Sequence, residues 1–520
     1  MIARSSLPYF YEGLVESPTE YADPFRDVSL KVELTSPSGK TRSVDAYWDG
    51  GRIWRFRVDA DEPGVWSYTL ETSDGTQEQW LNHRSNFQIE PYAGPNPLYR
   101  HGPLRRSDDG THLVHRDGTP FFWLADTVWN GVLAADPAEW DQFLAKRREQ
   151  GFTAIQAVMT HWRAFPADSD GERAHFGDKE IRVNPRFFRK LDGKVAAIAR
   201  HGLVPALVVL WALTYRDPGD YLEEDDAVRL ARYIIARYGA YRPVWFLGGD
   251  GRYNNVDRWR RIGREVFAEA GDDRALTTLH PSGNNWIGEA FRDEDWFDFI
   301  GYQSSHGGNT KHSFGWIVHR EPATEWNKSP LLPVINLEPC YEAHQRVGTP
   351  HTFTAHDVRM ASYYSLLVSP TAGVTYGHAA IWPWHEFVQT PLDHLGAGIA
   401  PRWWESVETE GARSMTCLKR VFDGLPWWKL RPAPEMVPDQ PGAEDELRFV
   451  AAAKAEDQSA AVVYLPQGGE VTLDTQGLAQ KAATWYDPRI GASFAAPHAT
   501  GGRQAYQAPG EGDWLLVFSG

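Results

Sequence analysis

Between Pro120 and Tyr376 the sequence repeats one pattern: a short apolar run closes on a polar or aromatic residue, and a segment with helical spacing follows. The runs are Pro120–Ala125 (closing on Asp126), Phe152–Met159 (Thr160-His161-Trp162), Leu203–Leu210 (Trp211) and Val244–Leu247 (Gly248-Gly-Asp250). They continue with Ala275–Leu279 (His280), Phe297–Tyr302 (Gln303), Leu332–Leu337 (Glu338) and Val374–Tyr376 (Gly377-His378). Continuous apolar runs of this length are strands buried on both faces. Helix signals lie between them: Asp136 as N-cap, Pro137 at the first helical position, Glu139 closing a capping box and Gly151 as the stop. Eight strands alternating with helices predict an α/β chain with a (β/α)₈ barrel. The competing doubly wound sheet needs a glycine-rich turn after its first strand, where this sequence has Asp126-Thr-Val-Trp129.

The barrel leaves both ends of the 520-residue chain unused. Val28–Leu34, Ser43–Trp48, Trp54–Val58 and Val65–Leu70 read as strands of a small β-sandwich, separated by Pro37-Ser-Gly39 and Asp49-Gly-Gly51. Pro91–Pro97 is a linker by composition. After Arg431, Phe449–Ala453, Ala461–Tyr464, Val471–Leu473 and Trp514–Phe518 suggest a second sandwich. The expected domains are 1–92, 93–430 and 431–520.

A formal charge of −16 argues against nucleic acid as a partner, because phosphates require Lys and Arg. No apolar stretch is long enough for a membrane helix, and Met1–Pro8 lacks a signal-peptide core. The expected location is cytoplasmic, or secreted if a leader was removed. Two cysteines, Cys340 and Cys417, make no disulfide framework. The 23 Trp, with 24 Phe and 21 Tyr, suit both packed cores and a cleft that stacks aromatic faces on sugar rings.

In a barrel the strand carboxyl ends form the active face. That rim carries Asp126, Trp129, His161, Trp162, Trp211, Asp250, His280, Gln303, Glu338 and Tyr376, with His306, Tyr341 and Trp382 just beyond. Asp250 and Glu338 stand on the fourth and seventh strands, across the mouth from one another. Two facing carboxyl groups are the layout for cleaving a glycosidic bond, one protonated to help the leaving oxygen and one ionised. Retention of configuration needs them about 5–5.5 Å apart, and inversion about 6.5–9.5 Å. Each assignment has a plain structural rival. Asp250 in Gly-Gly-Asp-Gly is also a turn residue, Glu338 a surface ion-pair acid, and Asp126 a helix cap. His161, His280 and His306 are metal ligands or satisfied histidines, and the tryptophans stack on sugar or pack the barrel top. Tyr302, Gln303 and Tyr376 are the candidates for holding Glu338 ionised. No cofactor or metal is expected, and the partner is a carbohydrate. The rival classes are a non-catalytic carbohydrate-binding scaffold and a metal-dependent hydrolase.

Three sets of motifs resemble one known group. Pro24-Phe-Arg-Asp-Val28, Trp54-Arg-Phe-Arg-Val58 and Pro63-Gly-Val-Trp-Ser67 are similar to the small β-domain that precedes the barrel of apiosidase-like glycoside hydrolases. Phe122-Trp-Leu-Ala-Asp-Thr-Val-Trp129, Val244-Trp-Phe-Leu-Gly-Gly-Asp250 and Ile335-Asn-Leu-Glu338 resemble its barrel motifs, and Trp485-Tyr-Asp-Pro-Arg489 its collagen-binding-type C-terminal domain. The resemblance implies a retaining mechanism with Asp250 as acid/base and Glu338 as nucleophile, acting on a furanose or branched sugar of a plant or microbial glycan. Related barrels carry Asn-Glu where this chain has Gly249-Asp250.

Overall fold

The computed structural model describes residues 7–268, 274–307 and 310–520, without the side chains of 310–312. The opening residues 1–6, part of the stretch searched for a leader, lie outside the described residues. The barrel strands are β1 (Trp123–Thr127), β2 (Ala154–Val158), β3 (Val204–Trp211), β4 (Val244–Gly249), β5 (Thr277–Thr278), β6 (Ile300–Gln303), β7 (Val334–Glu338) and β8 (Gly373–Tyr376). All pair in parallel in the order β5-β4-β3-β2-β1-β8-β7-β6, so the barrel is nearly closed. Among the described residues no ladder joins β5 to β6. One main helix follows each strand: α1 (Pro137–Glu149), α2 (Pro185–Arg200), α3 (Glu224–Tyr238), α4 (Val256–Phe267), α5 (Gly288–Phe291), α6 (Thr310–His319), α7 (Ala355–Leu367) and α8 (Glu410–Asp423).

Local signals explain where helices begin. The Asp136 side chain caps α1 through the Ala138 N–H, Asn184 caps α2 through Arg186, and Thr354 with Asp357 forms a reciprocal capping box on α7. Period-two alternation sets which strand residues enter the barrel. On β1, Trp123 and Thr127 point inward. The Trp123 indole donates to Thr375 Oγ1 at 3.0 Å, Thr375 donates to Gln156 Oε1 at 3.1 Å, and Gln156 Nε2 donates to Thr127 Oγ1 at 3.1 Å. The Trp123 ring also meets Phe246 and Phe299, which fills the interior.

The amino-terminal region forms two sheets. One holds Phe10–Glu16, Ile53–Asp59 and Tyr47–Trp48; the other holds Thr41–Asp45, Leu30–Thr35, Gly64–Thr72 and Arg84–Ile89. The run Ser43–Trp48, expected as one strand, breaks at Ala46 and passes from one sheet to the other, because Ala46 N–H bonds to Leu30 O before Tyr47 pairs with Arg55. Pro97 is not linker: with Asn96 as its cap it opens a short helix, Pro97–His101. The carboxy-terminal region is a six-stranded sheet with a separate two-stranded ladder, Glu470–Asp474 on Arg503–Gln507.

Both flanks are fixed to the barrel by buried charge. Arg57 of the amino-terminal sheet donates to the carbonyl of Arg237 at 2.7 Å and pairs with Asp192 at 2.9 Å; Arg237 reaches Asp49 at 3.0 Å. On the other side Arg359 of α7 pairs with Asp513 at 2.8 Å, both buried. Tyr363 stacks on Tyr464 across the same boundary.

Candidate active site

Pro339 ends β7 immediately after Glu338, since a proline cannot continue the ladder. The Glu338 carboxylate is held from two sides. Its Oε1 accepts from Gln303 Nε2 at 2.7 Å and from His306 Nε2 at 2.8 Å. Its Oε2 faces His280 Nε2 at 3.3 Å and has no hydrogen-bond partner. His280 Nδ1 accepts the Asp250 N–H at 3.4 Å, which leaves Nε2 as the protonated nitrogen, turned toward Glu338. Burial alone would raise the Glu338 carboxyl; the His280 imidazole facing it and the hydrogen bond from His306 outweigh burial and hold the group far below the usual carboxylate range.

Asp250 follows β4 with φ of +51°, in the left-handed region that aspartate tolerates better than most side chains. The loop is pinned, because Gly251 N–H and the Tyr253 hydroxyl both donate to the His280 carbonyl, at 3.1 and 2.9 Å. The preceding glycines serve close packing. A Cβ on Gly249 would lie 2.5 Å from Val208 Cγ1 and 2.7 Å from the Trp211 ring. Burial first, and the Glu338 charge second, push the Asp250 carboxyl well above its ordinary value; Arg163 opposes them. Neighbouring carboxyls are thereby driven in opposite directions, Asp250 toward the acid and Glu338 toward the anion.

Aromatic side chains surround the pair. Trp129 packs edge-on against Trp211 at 5.2 Å and against His280 at 5.3 Å. Trp162 lies 4.3 Å from Trp211 and 6.2 Å from Trp382. Tyr341 lies 4.4 Å from His306. The Trp211 and Trp382 indole N–H groups, the Tyr341 hydroxyl and His306 Nδ1 have no hydrogen-bond partner. Of these, the unpartnered atoms of His306 and Tyr341 lie beside Glu338, and that of Trp211 lies beside its neighbour His280.

Three residues expected at the rim are elsewhere. Asp126 is fully buried and points out to α1, where its carboxylate meets Arg147 at 2.6 Å. Thr127, its neighbour, takes the inward position. Burial raises the Asp126 carboxyl to about 6 against the pull of Arg147. Tyr376 likewise faces the helices, donating to Glu342 at 2.6 Å while Thr375 points inward. His161 turns away from Glu338 toward His175 and Tyr221. Of the groups expected to hold Glu338, Gln303 does so; Tyr302 packs outward on Trp316, and Tyr376 is on the helix side.

Sequence reasoning missed Arg163. Its Nη1 binds the buried Asp217 at 3.0 Å, its Nη2 lies 3.0 Å from His394 and 3.8 Å from Asp250, and its guanidinium lies over the Trp162 and Trp211 rings. Its place directly after the rim pair His161-Trp162 was the available signal.

Solved structures share this architecture. One named glycoside hydrolase superposes with a TM-score of 0.72 at 22% identity, covering 82% of this chain and 98% of its own. A glycoside hydrolase family 5 protein from Bacteroides vulgatus gives 0.72 at 23%, covering 82% and 95%. A further Bacteroides vulgatus structure gives 0.69 at 17%, covering 98% of both chains. These likenesses carry the fold. The class comes from the sequence family: the protein is a glycoside hydrolase. It belongs to the apiosidase-like family, whose catalytic-domain model matches residues 107–429, more than half of the chain. Residues 10–73 match DUF5060, a domain of unknown function, and residues 432–519 match a collagen-binding-type domain model described from a collagenase. No curated protein matches the sequence.

Proposed function

We propose that the chain is a retaining glycosidase acting on a furanoside or branched sugar of a plant or microbial glycan, with Glu338 as nucleophile and Asp250 as acid/base. One observation carries the reading: two neighbouring carboxyls have environments that push them toward opposite protonation states. In the first step Glu338 Oε2, the oxygen without a hydrogen bond, forms the bond to the anomeric carbon. The glycosidic C–O bond breaks, and Asp250 gives its proton to the departing oxygen. In the second step Asp250, now ionised, takes a proton from water, whose oxygen attacks from the face the leaving group vacated, opposite Glu338, and breaks the bond to Glu338, so the configuration is retained. Gln303 and His306 stay on Oε1 throughout and orient the carboxylate. The unpartnered indole, hydroxyl and imidazole groups receive the hydroxyls of the sugar.

Azide rescue tests the roles. With an activated aryl glycoside, Asp250→Ala still completes the first step, and added azide releases a glycosyl azide of retained configuration. Glu338→Ala is inert alone and yields the inverted azide. NMR of the product anomer reads the outcome. Exchanged configurations would swap the two roles, and near-normal turnover by both variants would sink the reading.

A further inference from the structure

A cavity of about 500 Å³ opens between the loop after β2 and the loop after β3, at the active end of the barrel. That volume is within the usual range of small-molecule sites, about 300–1,000 Å³. Its wall includes Trp162 and Arg163, and the Arg163 guanidinium lies 3.8 Å from Asp250.

Part of the lining is a fixed polar chain, and Arg173, Asp178 and Arg216 add charged groups to the rest. Ala174 N–H donates to His161 Nδ1 at 3.2 Å, so His161 carries its proton on Nε2 and turns it to the Tyr221 oxygen at 3.4 Å. Tyr221 in turn donates to His175 Nε2 at 3.0 Å. Burial lowers His161 to about 3 and His175 to about 4, which keeps both imidazoles neutral through the ordinary pH range.

The rim is different. Phe176 and Tyr215 line the cavity from opposite loops, with 52% and 78% of their surfaces exposed. A large ring left in water at the mouth of a polar cavity offers stacking area at little conformational entropy, and the apolar face of a sugar ring is its natural complement.

We propose that this cavity is a second sugar subsite. It holds a unit of an oligosaccharide away from the bond cleaved at Asp250 and Glu338, stacked on Tyr215 and Phe176 and hydrogen-bonded to the lining. The protein then recognises a chain rather than a single terminal sugar. The inference rests on the catalytic reading of that pair, so its test is a binding measurement that needs no turnover.

Glu338→Ala protein is titrated by calorimetry with arabinose, galactose and xylose oligomers of two to five units. The expected result is a step of about tenfold in affinity between the disaccharide and the tetrasaccharide of one series. The step disappears in Glu338→Ala protein carrying Tyr215→Ala and Phe176→Ala, and survives with Tyr215→Trp. Both rings are exposed, so the alanine variants fold, which circular dichroism checks. Absence of a step in every series, or a step that persists without the two rings, overturns the subsite. Failure of azide rescue overturns the catalytic roles and leaves the binding result standing.

Discussion

Arg163 holds Asp217 at 3.0 Å with one nitrogen and stands 3.8 Å from Asp250 with another. A cation at that distance favours the ionised form of Asp250, yet the proposed first step needs the protonated form. On the proposed roles, the alkaline limit follows Asp250, which burial and Glu338 raise and Arg163 lowers. Loss of the charge raises the Asp250 value further, so the alkaline limb of kcat/KM moves to higher pH in Arg163→Gln, by about one unit or more. Arg163→Lys keeps the charge and holds the limb closer to its original place. A pH–rate profile of the two variants decides; an unmoved limb in Arg163→Gln contradicts the role.

On the proposed roles, the acidic limb belongs to Glu338. Gln303 and His306 stabilise its anion, so Gln303→Ala and His306→Ala each raise its value and move the acidic limb to higher pH. The loss in kcat/KM at neutral pH is on the order of 10²-fold, the scale for one misplaced orienting group. Profiles with acidic limbs unchanged from the parent enzyme would show that neither residue tunes Glu338.

Asp126 predicts a stability effect. Asp126→Ala leaves the fully buried Arg147 without its carboxylate, and breaking such a pair costs about 3–5 kcal/mol. The expected result is a large fall in denaturation midpoint, while KM of the protein that remains folded changes little. A rise in KM with stability intact would return Asp126 to the substrate.

Stability falls in mild acid. Burial lowers His161 and His344 to about 3, and His175, His378, His385 and His394 to about 4, from an ordinary value of 6.5. The unfolded chain binds protons at these sites below pH 6.5 and the folded chain does not. Their contribution is complete above 6.5 and is lost as the pH falls toward 4. Asp126, raised to about 6, acts in the opposite sense over part of that window, as do the raised carboxyls of Asp250, Asp298 and Glu139, so four carboxyls are set against these six imidazoles. Calorimetry from pH 7 to pH 4.5 reads a falling Tm; a flat profile would mean that these imidazoles take up protons in the folded state.

Strand order and strand ends were legible because apolar runs, caps and prolines act locally. The run Leu332–Leu337 and the proline after Glu338 place that acid without reference to anything distant. The direction of a rim side chain was not legible. Asp126 and Thr127 are adjacent, and a one-residue uncertainty in strand phase exchanges the barrel side for the helix side. Tyr376 fails for the same reason against Thr375. The partners of Glu338 come from the ends of two other strands and one loop, His280, Gln303 and His306, and only closure of the barrel brings them together. Arg163 escaped notice because its significance is relational: it matters through Asp217, His394 and Asp250, none near it in sequence.

The guanidiniums of Arg57 and Arg359 give the boundaries of this chain a particular character. Each is an obligate debtor to a carboxylate or carbonyl on the far side of its border, Asp192 and Arg237 in one case and Asp513 in the other. Cutting the chain between its sequence families would strand a desolvated cation on one fragment and its counter-ion on the other. Exchanging either flank without the barrel helix that answers it would leave one of these charges buried and unpaired.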